Sequence, residues 1–382
     1  MRFKAQGQQF LKKYVLDENL CTGCGACAGI CPYQVVYRDR TVQLHQCDLE
    51  NGRCFDYCPR TPADLQAIRE MFFDQGDFTP EIGPVKGYFF SRAADPVLRE
   101  TSQHGATVTA LMETAIAEGW IDSAVVSSRN QDFGREGVMV RDADGLRKNA
   151  GSFFTVSPTV AAFHRCDAQG HGGIGVVATP CQALALAKMR FRPGEQDGEK
   201  IHRLRVVVGL YCGWTLSAEK INDLMRKENI AADSIIRMDV PAGKDILEIH
   251  TKDGVHGLAM DEVRRCIRPA CLYCADSTAE FADVSVGSAR FAGGWEEMRR
   301  WNQLIVRTKK GEDLVNLAVK KGKLELREAP PESFRELKKA AADKKRTALK
   351  NIIQKSGSGK NLLYLDRDDP VVKKYLDVRK KG

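Results

Sequence analysis

The chain has 382 residues, 13 of them cysteines, and this length predicts two or three domains. Its apolar fraction of 43% excludes wholesale disorder. It has no run of 18 or more apolar residues and no secretory signal at its start, so we expect neither a membrane-spanning helix nor a disulfide framework. The odd number of cysteines instead favours metal or redox chemistry. The net charge of +8 comes from residues 338–382, which leaves the body close to neutral and without the basic face typical of nucleic-acid enzymes.

The first predicted element is a cysteine-rich loop near the start of the chain. Its spacing is C-x2-C-x2-C-x3-C-P, formed by Cys21, Cys24, Cys27, Cys31 and Pro32. Thiolates are the soft ligands that iron–sulfur clusters require, and this run is typical of [4Fe–4S] ferredoxins, whereas a zinc site would have paired CxxC units. Gly23 and Gly25 let the loop fold tightly around a cluster.

A second, degenerate copy of the motif follows. Cys54 and Cys58 form its end, but regular spacing would place cysteines at positions that hold Asp48 and Asn51, and Cys47 lies one residue before the first of them. In two-cluster ferredoxins the last cysteine of each motif binds the other cluster. This rule predicts a first cluster bound by Cys21, Cys24, Cys27 and Cys58, and a second bound by Cys31, Cys47 and Cys54.

The second site therefore lacks one thiolate. Three interpretations are open: a [3Fe–4S] cluster, a [4Fe–4S] cluster with Asp48 or another group as its fourth ligand, or a lost site. The three remaining cysteines and the intact C-P ending favour an occupied site. Two clusters at this spacing form a short electron wire, which needs a converter between single electrons and a two-electron reaction, and flavin is the usual converter.

The rest of the chain predicts an α/β body. A charged amphipathic helix over 62–73 and a proline-interrupted connector over 76–87 precede it. Beyond residue 88, β-branched runs alternate with helical stretches, so the predicted fold is a mixed α+β body with parallel βαβ units behind a small two-cluster ferredoxin-like module. The predicted strands are 121–127, 173–178, 204–210 and 302–307, the helices are 107–118, 182–189, 217–228 and 312–321, and a hairpin joins 246–251 to 254–260.

A basic segment over 336–382 forms the C-terminal region. Within it, the composition of residues 355–360 (KSGSGK) is typical of a flexible linker. Two interpretations fit the charge of the segment: a solvated helix with a flexible end, or a docking arm for an acidic partner subunit.

Four cysteines of the body lie in three separate turns. Cys181 follows a predicted strand at the start of a helix, Cys212 closes the next strand, and Cys271 and Cys274 form a CxxC beside a basic stretch. Ligands in α/β folds gather at the carboxyl ends of strands. Together the four cysteines predict a third cluster, although a lone CxxC would indicate zinc or thiol redox chemistry. The turn 102–107 is a weaker candidate for phosphate binding at a helix start.

With these motifs the chain resembles the family of beta subunits of coenzyme F420 hydrogenases and dehydrogenases, over residues 87–325. The landmarks are SQHGATVTALM, ATPCQ, GLYC, RPACLYCADSTAEFADVSVGS and WNQLIVRTKKGEDL. The resemblance implies an α/β domain, here 84–335, that holds FAD and one [4Fe–4S] cluster, behind the ferredoxin-like module at 1–75. It implies Cys181, Cys212, Cys271 and Cys274 as thiolate ligands, whereas Cys166 and Cys266 have no clear family counterpart.

The resemblance also places the flavin against small residues from three stretches of the chain: Gly105, Ala106, Thr107, Thr109, Ser157, Pro158, Ser285, Gly287 and Ser288. The chain departs from the family at His104, where the family has a second glycine, and at Arg290 and Phe291, which add bulk and charge at the mouth of the cleft. His104 and Arg290 are therefore candidate substrate-cleft residues. Arg290 either binds an anionic substrate or faces solvent.

The implied function is that of an oxidoreductase subunit. Hydride passes between coenzyme F420 and FAD, and FAD exchanges single electrons with two or three clusters that lead to or from a partner redox subunit or ferredoxin. The expected location is the cytoplasm of an anaerobe, either free or peripheral to a membrane complex. Two alternatives remain. The chain could be a flavin and iron–sulfur subunit that uses ferredoxin or NAD(P)H, although the absence of a GxGxxG fingerprint disfavours NAD(P)H. It could also be a pure electron-carrier module.

Overall fold

The computed structural model describes residues 7–129, 134–152, 154–168, 172–194, 197–241, 243–289 and 295–377. The α-helices are α1 (Gln8–Leu11), α2 (Arg53–Asp56), α3 (Leu65–Phe72), α4 (Pro96–Thr101), α5 (Thr107–Ala117), α6 (Ala143–Lys148), α7 (Thr159–Ala168), α8 (Pro180–Phe191), α9 (Gly198–Arg203), α10 (Ala218–Lys227), α11 (Met260–Arg265), α12 (Trp295–Met298), α13 (Lys309–Lys320), α14 (Pro331–Ser356) and α15 (Pro370–Asp377). A π-helical turn (Lys12–Leu16) extends α1, and 3₁₀ turns lie at Gln75–Asp77, Ala232–Ser234 and Pro269–Tyr273.

The strands are β1 (Gln34–Tyr37), β2 (Arg40–Gln43), β3 (Phe78–Thr79), β4 (Gly83–Pro84), β5 (Gly87–Ala93), β6 (Ser123–Arg129), β7 (Arg135–Val140), β8 (Ile174–Ala178), β9 (Leu204–Leu210), β10 (Ile235–Asp239), β11 (Ile246–Thr251), β12 (Gly254–Ala259), β13 (Val284–Ser288), β14 (Asn302–Val306) and β15 (Leu324–Glu328).

An eight-stranded sheet forms the centre of the body, in the order β15-β5-β14-β13-β9-β8-β6-β7. The pairs β6–β8, β8–β9 and β9–β13 are parallel, and the pairs that flank them are antiparallel. The central strands are continuous apolar runs because helices cover both of their faces. The predicted α/β body with parallel βαβ units is confirmed.

Each face of this sheet has its own apolar core. Alternate residues of β9 point in opposite directions, so Val207 packs with α7 and α8, whereas Val206 and Val208 pack with α5 and α13. The first of these cores also contains Tyr57, Ile68 and Cys24 of the N-terminal region. The cysteine-rich module therefore packs directly against the body.

A smaller three-stranded antiparallel sheet, β10-β11-β12, packs with α10 and α11. The predicted hairpin is confirmed, since Ile246 to Thr251 pairs in register with Ala259 to Gly254. This sheet lies against the carboxyl end of β6 and the loop before α5. Arg129 donates a hydrogen bond to the Ile235 carbonyl oxygen (2.8 Å), and Gln103 donates one to Asp239 (2.9 Å).

Several elements are absent from the sequence-based prediction. The outer strands β7 and β15 mix charged and apolar residues, as edge strands commonly do, and β13 contains serine and glycine. The connector 76–87 contains a 3₁₀ turn and the short paired strands β3 and β4. β13 and β15 pair with strands that are distant in the chain, β9 and β5, whereas β7 and the β3–β4 pair belong to local hairpins.

The C-terminal segment is helical, but its described part is packed against the body. Lys345 of α14 is buried and forms an ion pair with the buried Glu280, and Asp369, just before α15, pairs with the buried Arg69. The helix α14 also continues through the first two residues of the predicted linker and ends at Gly357, whose φ of 64° is left-handed. The interpretation as a solvated helix with a flexible end is therefore wrong as far as residue 377.

Within the described residues, no helix has both the length and the apolar character needed to cross a bilayer.

Arg307, at the end of β14, joins three parts of the body and is fully buried. Its guanidinium donates to the Ser285 hydroxyl (2.7 Å), to the carbonyl oxygens of Ile82 and Pro84 (2.7 and 2.8 Å) and to Thr278. We expect Arg307→Leu to lower the free energy of unfolding by about 3 kcal/mol or more, because several buried acceptors lose their donor. An anaerobic thermal scan would show a loss of several degrees in the unfolding temperature.

The matched control is Arg335→Leu on α14. Arg335 is exposed, and within the described part of the chain its one ion pair is with Glu332, three residues earlier, so its replacement should change stability by about 0.5 kcal/mol or less. Equal effects of the two substitutions would contradict the structural role given to Arg307.

Candidate metal centres and cofactor cleft

The first cysteine group consists of Cys21, Cys24, Cys27 and Cys58, as the crossing rule predicts. Burial raises the pKa of Cys27 well above its usual value, and the neighbouring thiolates of Cys21, Cys58 and Cys24 raise it further. Burial likewise raises the pKa of Cys58 to about 12. Four ionised sulfurs held this close together, away from water, are stable only around a positively charged core.

Two glycines shape the loop of this group. Gly23 and Gly25 have φ values of 68° and 84°, in the left-handed region. A Cβ on Gly23 would lie 2.4 Å from the Asp39 carbonyl oxygen, and one on Gly25 would lie 2.7 Å from Ala161 of α7. The tight loop expected from the sequence is therefore present, and it is pressed against α7.

Hydrogen-bond donors surround the sulfurs of the first group. The Thr41 backbone N–H donates to Cys21 Sγ (3.3 Å), and the Thr41 hydroxyl lies 3.2 Å from Cys27 Sγ. The Arg60 N–H donates to Cys58 Sγ (3.4 Å). Hydrogen bonds to sulfur are one of the ways in which a protein sets the potential of an iron–sulfur cluster.

The second cysteine group contains Cys31, Cys47 and Cys54. Burial raises the pKa of Cys54 to about 11; Cys31 and Cys47 contribute to the rise, while the side chain of Gln34 opposes it. Asp48, the fourth ligand considered from the sequence, is exposed, and no hydrogen bond or ion pair links it to the other described residues. The structure thus brings three thiols together and leaves Asp48 outside.

The third cysteine group gathers Cys181, Cys212, Cys271 and Cys274 from three segments. Cys181 lies in the first turn of α8, Cys212 follows β9, and the other two flank the end of the 3₁₀ turn at 269–273. Burial raises the pKa values of Cys181 and Cys212. Burial alone would also raise the pKa of Cys274, but the positive charges of Lys344 and Arg60 more than offset it and lower that pKa.

The first and third groups adjoin. Cys181 is the largest electrostatic contributor, after burial, to the raised pKa of Cys24, ahead of Cys58 of its own group. Cys181 and Cys274 line a cavity of about 70 Å³ that Arg60, Tyr364 and other residues close. A charge on one group therefore changes the pKa values of the thiols in the other.

Four cations surround these two groups: Arg60, Lys188, Arg268 and Lys344. Lys188 is buried and donates to the Cys58 and Thr61 carbonyl oxygens (2.6 and 3.1 Å), and burial lowers its pKa to about 8. The other three donate to carbonyl oxygens near the cysteines. Among the described ion pairs, none joins these cations to a carboxylate, and at Lys188 the Cys58 thiolate contributes more compensating charge than the carboxylate of Asp56.

The donor sets fit iron–sulfur clusters better than single metal ions. Within the described residues, no three or more histidine, cysteine or acidic side chains converge as closely as one metal ion requires. A cubane holds its four thiolates farther apart than a zinc ion does, and the ligands here are sulfur alone. Buried cations without carboxylate partners match the negative charge of a thiolate-bound cluster.

The other two cysteines lie apart from these groups. Cys166 is buried in the core between α7 and α8, and Cys266 lies at the end of α11, where its thiol faces the Glu262 carbonyl oxygen at 3.6 Å. In this structure neither thiol belongs to one of the three cysteine groups.

The cofactor cleft expected from the sequence begins at the start of α5. Ala106 has a left-handed φ of 59°, and the next amide, of Thr107, donates a hydrogen bond to Asn302 Oδ1 at 3.2 Å. Gly105 is glycine because a Cβ there would lie 2.8 Å from both Asn302 and Ser91. Thr109, one turn into the helix, is half-buried. Close packing of β5 and β14 thus accounts for part of this small-residue turn.

The three candidates on β13 do not share a face. Ser288 points toward α5, where its hydroxyl lies 2.9 Å from His104 Nε2. Ser285 points to the opposite side, where its hydroxyl receives the Arg307 hydrogen bond and donates to Ala279 (3.1 Å). Gly287 lies under the Tyr211 ring, and a Cβ there would approach it to 2.0 Å. Ser285 and Gly287 therefore have packing roles in this structure.

Ser157 and Pro158 lie beside the first and third cysteine groups. The Ser157 carbonyl oxygen accepts a hydrogen bond from Gln182, next to Cys181, and Pro158 packs against Gly25 of the first loop. The buried Ser157 hydroxyl has no hydrogen-bond partner among the described residues, and the same holds for the hydroxyls of Thr155 and Thr159. Unpaired buried hydroxyls are costly without a ligand, so this stretch fits a polar cofactor. Arg290 and Phe291 lie outside the described residues.

Two family models match the body of the chain: the N-terminal region of the coenzyme F420 hydrogenase/dehydrogenase beta subunit at residues 88–164, and its C terminus at 172–332. Together they cover more than half of the chain. The chain belongs to this family. The expectation of an oxidoreductase of the F420 hydrogenase/dehydrogenase beta-subunit type is thereby confirmed. A 4Fe-4S binding domain matches residues 14–37, which contain the first four cysteines.

Curated relatives of this family member come from methanogens. One subunit of the F(420)H(2) dehydrogenase of Methanosarcina mazei is 28% identical, over 83% of this chain and 86% of its own length. The beta subunit of the coenzyme F420 hydrogenase of Methanothermobacter thermautotrophicus is 29% identical, over 73% and 98%. The coenzyme F420-dependent sulfite reductase of Methanocaldococcus jannaschii is 27% identical over 85% of this chain but only 50% of its own length.

A solved structure supports the fold. A chain of the F420-reducing [NiFe] hydrogenase complex from Methanosarcina barkeri matches with a TM-score of 0.65 and 22% identity, over 72% of this beta-subunit-type chain and 95% of that one. The predicted architecture of the body therefore has an experimental counterpart.

The cations around the cysteine groups were not predicted from the sequence. Arg60 directly follows the C-P ending of the second motif, and Arg268 directly precedes the proline before Cys271, so their closeness to cysteines in the sequence was an available signal. Lys188 and Lys344 carry no such signal, because folding alone brings α8 and α14 to the cysteines.

Cys212 and Cys266 provide a matched pair for testing the third group in this family member. We expect Cys212→Ser to lower the iron content by about four atoms per chain, since a cubane that loses a thiolate is lost or degraded. Cys266→Ser should leave the iron content unchanged, because its thiol only packs beside α11. Iron analysis of anaerobically purified protein measures both, and equal losses would contradict the proposed separation.

Proposed function

We propose that this chain is an iron–sulfur flavoprotein subunit that exchanges a hydride between coenzyme F420 and FAD, and relays single electrons through [4Fe–4S] clusters to or from a partner redox subunit. The observation that carries the proposal is the juxtaposition of the first and third cysteine groups at Cys24 and Cys181, beside the cleft at the carboxyl ends of the central strands.

The proposed ligand sets follow the three cysteine groups. Cys21, Cys24, Cys27 and Cys58 hold the first cluster, and Cys181, Cys212, Cys271 and Cys274 hold the third. Cys31, Cys47 and Cys54 hold the second. In the proposed path, electrons pass between the N-terminal module and the cleft through the second, first and third clusters in that order. The crossing of the two motifs interleaves the first two groups, and Cys181 of the third group adjoins the first group.

The flavin is assigned to the cleft between the start of α5 and Ser157–Pro158. FAD, when bound, converts a two-electron hydride into the single electrons that clusters carry. Ser157 is suited to hydrogen-bond it, since its hydroxyl is unengaged and its carbonyl is held by Gln182 beside the third cysteine group. His104 and Ser288 line the α5 side of the same cleft through their mutual contact.

The buried cations have an electrostatic role in this proposal. Arg60 lies between the first and third groups, stacks 4.6 Å above the Tyr364 ring and donates to the Ala270 carbonyl oxygen. Its positive charge stabilises added electrons on either cluster, because reduction makes a cluster more negative. The protein thus supplies positioning and charge, and no side chain needs to act as a nucleophile.

The relatives support the substrate and the partner. Their names describe F420-dependent dehydrogenase, hydrogenase and sulfite reductase proteins, two of them as subunits, which favours F420 as the two-electron carrier and a larger complex as the setting. A cytoplasmic, anaerobic location remains a prediction from the sequence.

Anaerobic purification followed by addition of reduced F420 tests the proposal. We expect bound FAD, about twelve iron atoms per chain if all three sites hold cubanes, and bleaching of the flavin absorbance by reduced F420. If the bound FAD is reduced only by reduced ferredoxin or NADH, the chain has the alternative electron-input role and F420 is not its two-electron carrier. Iron without flavin would leave an electron-carrier module.

A matched pair of serine variants tests the place assigned to the flavin. Ser157→Leu should lower the flavin content several-fold while leaving the iron content unchanged, because a bulky apolar side chain would fill the cleft and remove the unpaired hydroxyl. Ser152→Leu, at an exposed position in the same stretch, should retain both cofactors. Full flavin content in Ser157→Leu would place the flavin elsewhere.

A further inference from the structure

The second cysteine group has one thiolate fewer than the other two proposed cluster sites, but specific hydrogen bonds hold the residues around it. Gln8 of α1 is buried, and its side chain holds the loop that carries Cys47. Its Oε1 accepts a hydrogen bond from the Cys47 N–H at 2.9 Å, and its Nε2 donates to the His45 carbonyl oxygen at 3.2 Å. A buried amide that fixes this loop from both sides is consistent with a maintained site.

Asp48 does not complete this site. The Gln8 hydrogen bonds fix the backbone at residues 45 and 47, and the next side chain, Asp48, is exposed. In this structure the carboxylate of Asp48 therefore lies outside the site. A residue on another side of the three thiols is the better candidate for the fourth position.

Gln34 lies on that other side. It is the first residue of β1, three residues after Cys31, and its N–H donates to the Cys31 carbonyl oxygen at 3.5 Å. Only 2% of it is exposed, whereas the next residue, Val35, is 37% exposed, so the alternation of the strand turns Gln34 inward. Its side-chain amide lies within hydrogen-bonding reach of the Cys54 thiol.

The side-chain amide of Gln34 is also unsatisfied. Apart from this approach to Cys54, neither its oxygen nor its nitrogen has a hydrogen-bond partner among the described residues. Gln8, equally buried on the neighbouring α1, has both amide atoms engaged. Burying an unpaired amide is unfavourable, so the amide of Gln34 beside Cys54 indicates a ligand there.

We propose that Gln34 fills the fourth position of the second site, so that its amide oxygen binds the fourth iron of a [4Fe–4S] cluster held by Cys31, Cys47 and Cys54. An amide oxygen is a harder and weaker ligand for iron than a thiolate. The iron at this corner is therefore the one most readily lost. This inference rests on the proposed function only in assuming that the site holds a cluster.

Three variants of the full chain, purified without oxygen, test this proposal. Oxidised three-iron clusters are paramagnetic, whereas [4Fe–4S] clusters in their oxidised ferredoxin state are not, so electron paramagnetic resonance distinguishes them. We expect the unaltered chain to lack a three-iron signal. Gln34→Ala should show about one three-iron signal per chain and lose about one iron atom. Asp48→Ala should match the unaltered chain.

Gln34→Glu keeps an oxygen donor in place and guards against a variant that fails to assemble. It should retain the fourth iron, and this result supports the proposal even if Gln34→Ala loses the whole second cluster. The proposal is overturned if the unaltered chain already holds a three-iron cluster or no second cluster. It is also overturned if Gln34→Ala keeps its fourth iron, if Gln34→Glu loses it, or if Asp48→Ala releases it.

Reduction of bound flavin by reduced F420 is measured in the same samples. Flavin reduction without the expected iron pattern would overturn the role of Gln34 and leave the proposed function intact. The expected iron pattern without flavin reduction would do the opposite.

Discussion

The structure depends on one electrostatic constraint: many cysteine sulfurs are buried together and must not be left as uncompensated charges. Burial and mutual repulsion raise the pKa values of Cys24, Cys27 and Cys58, so without a metal core these thiols hold their protons. A cluster core removes the protons and supplies positive charge in one step. We therefore expect the assembly of the clusters to be coupled to the final packing of these segments, because each cysteine group draws its sulfurs from more than one segment of the chain.

The same constraint explains the C-terminal segment. Its positive charge suggested a solvated helix or an arm for an external acidic partner, yet α14 places Lys344 on the carbonyl oxygens of Cys212 and Gly213 at 2.7 and 2.6 Å. Lys345 next to it is buried against Glu280. Part of the basic charge of the tail thus compensates the negative charge of the chain's own buried cysteines and acidic residues, and α14 covers the third cysteine group.

The features that depend on residue spacing within a short stretch of chain could be predicted from the sequence. The crossing of the two motifs predicted that Cys58 joins Cys21, Cys24 and Cys27, and the structure brings these residues together. The central strands and the hairpin at 246–259 followed from their apolar patterns, because their burial is continuous or alternates cleanly. The opposite directions of Ser285 and Ser288 were not predicted, because β13 was not recognised as a strand, in which residues three apart face opposite sides. The unpaired amide of Gln34 likewise appears only when β1 is folded beside Cys54.

Packing also decides how electrons can move between the N-terminal module and the body. The loop of the first cysteine group rests on α7, where Gly25 leaves no room for a side chain beside Ala161, and the Val160 N–H donates to the Cys24 carbonyl oxygen at 3.3 Å. The Tyr57 hydroxyl donates to the buried Asp197 at 2.6 Å. A detachable ferredoxin would expose these apolar and polar contacts each time it left. In the proposed relay the module is therefore a fixed part, so transfer between the first and third groups needs no diffusional encounter.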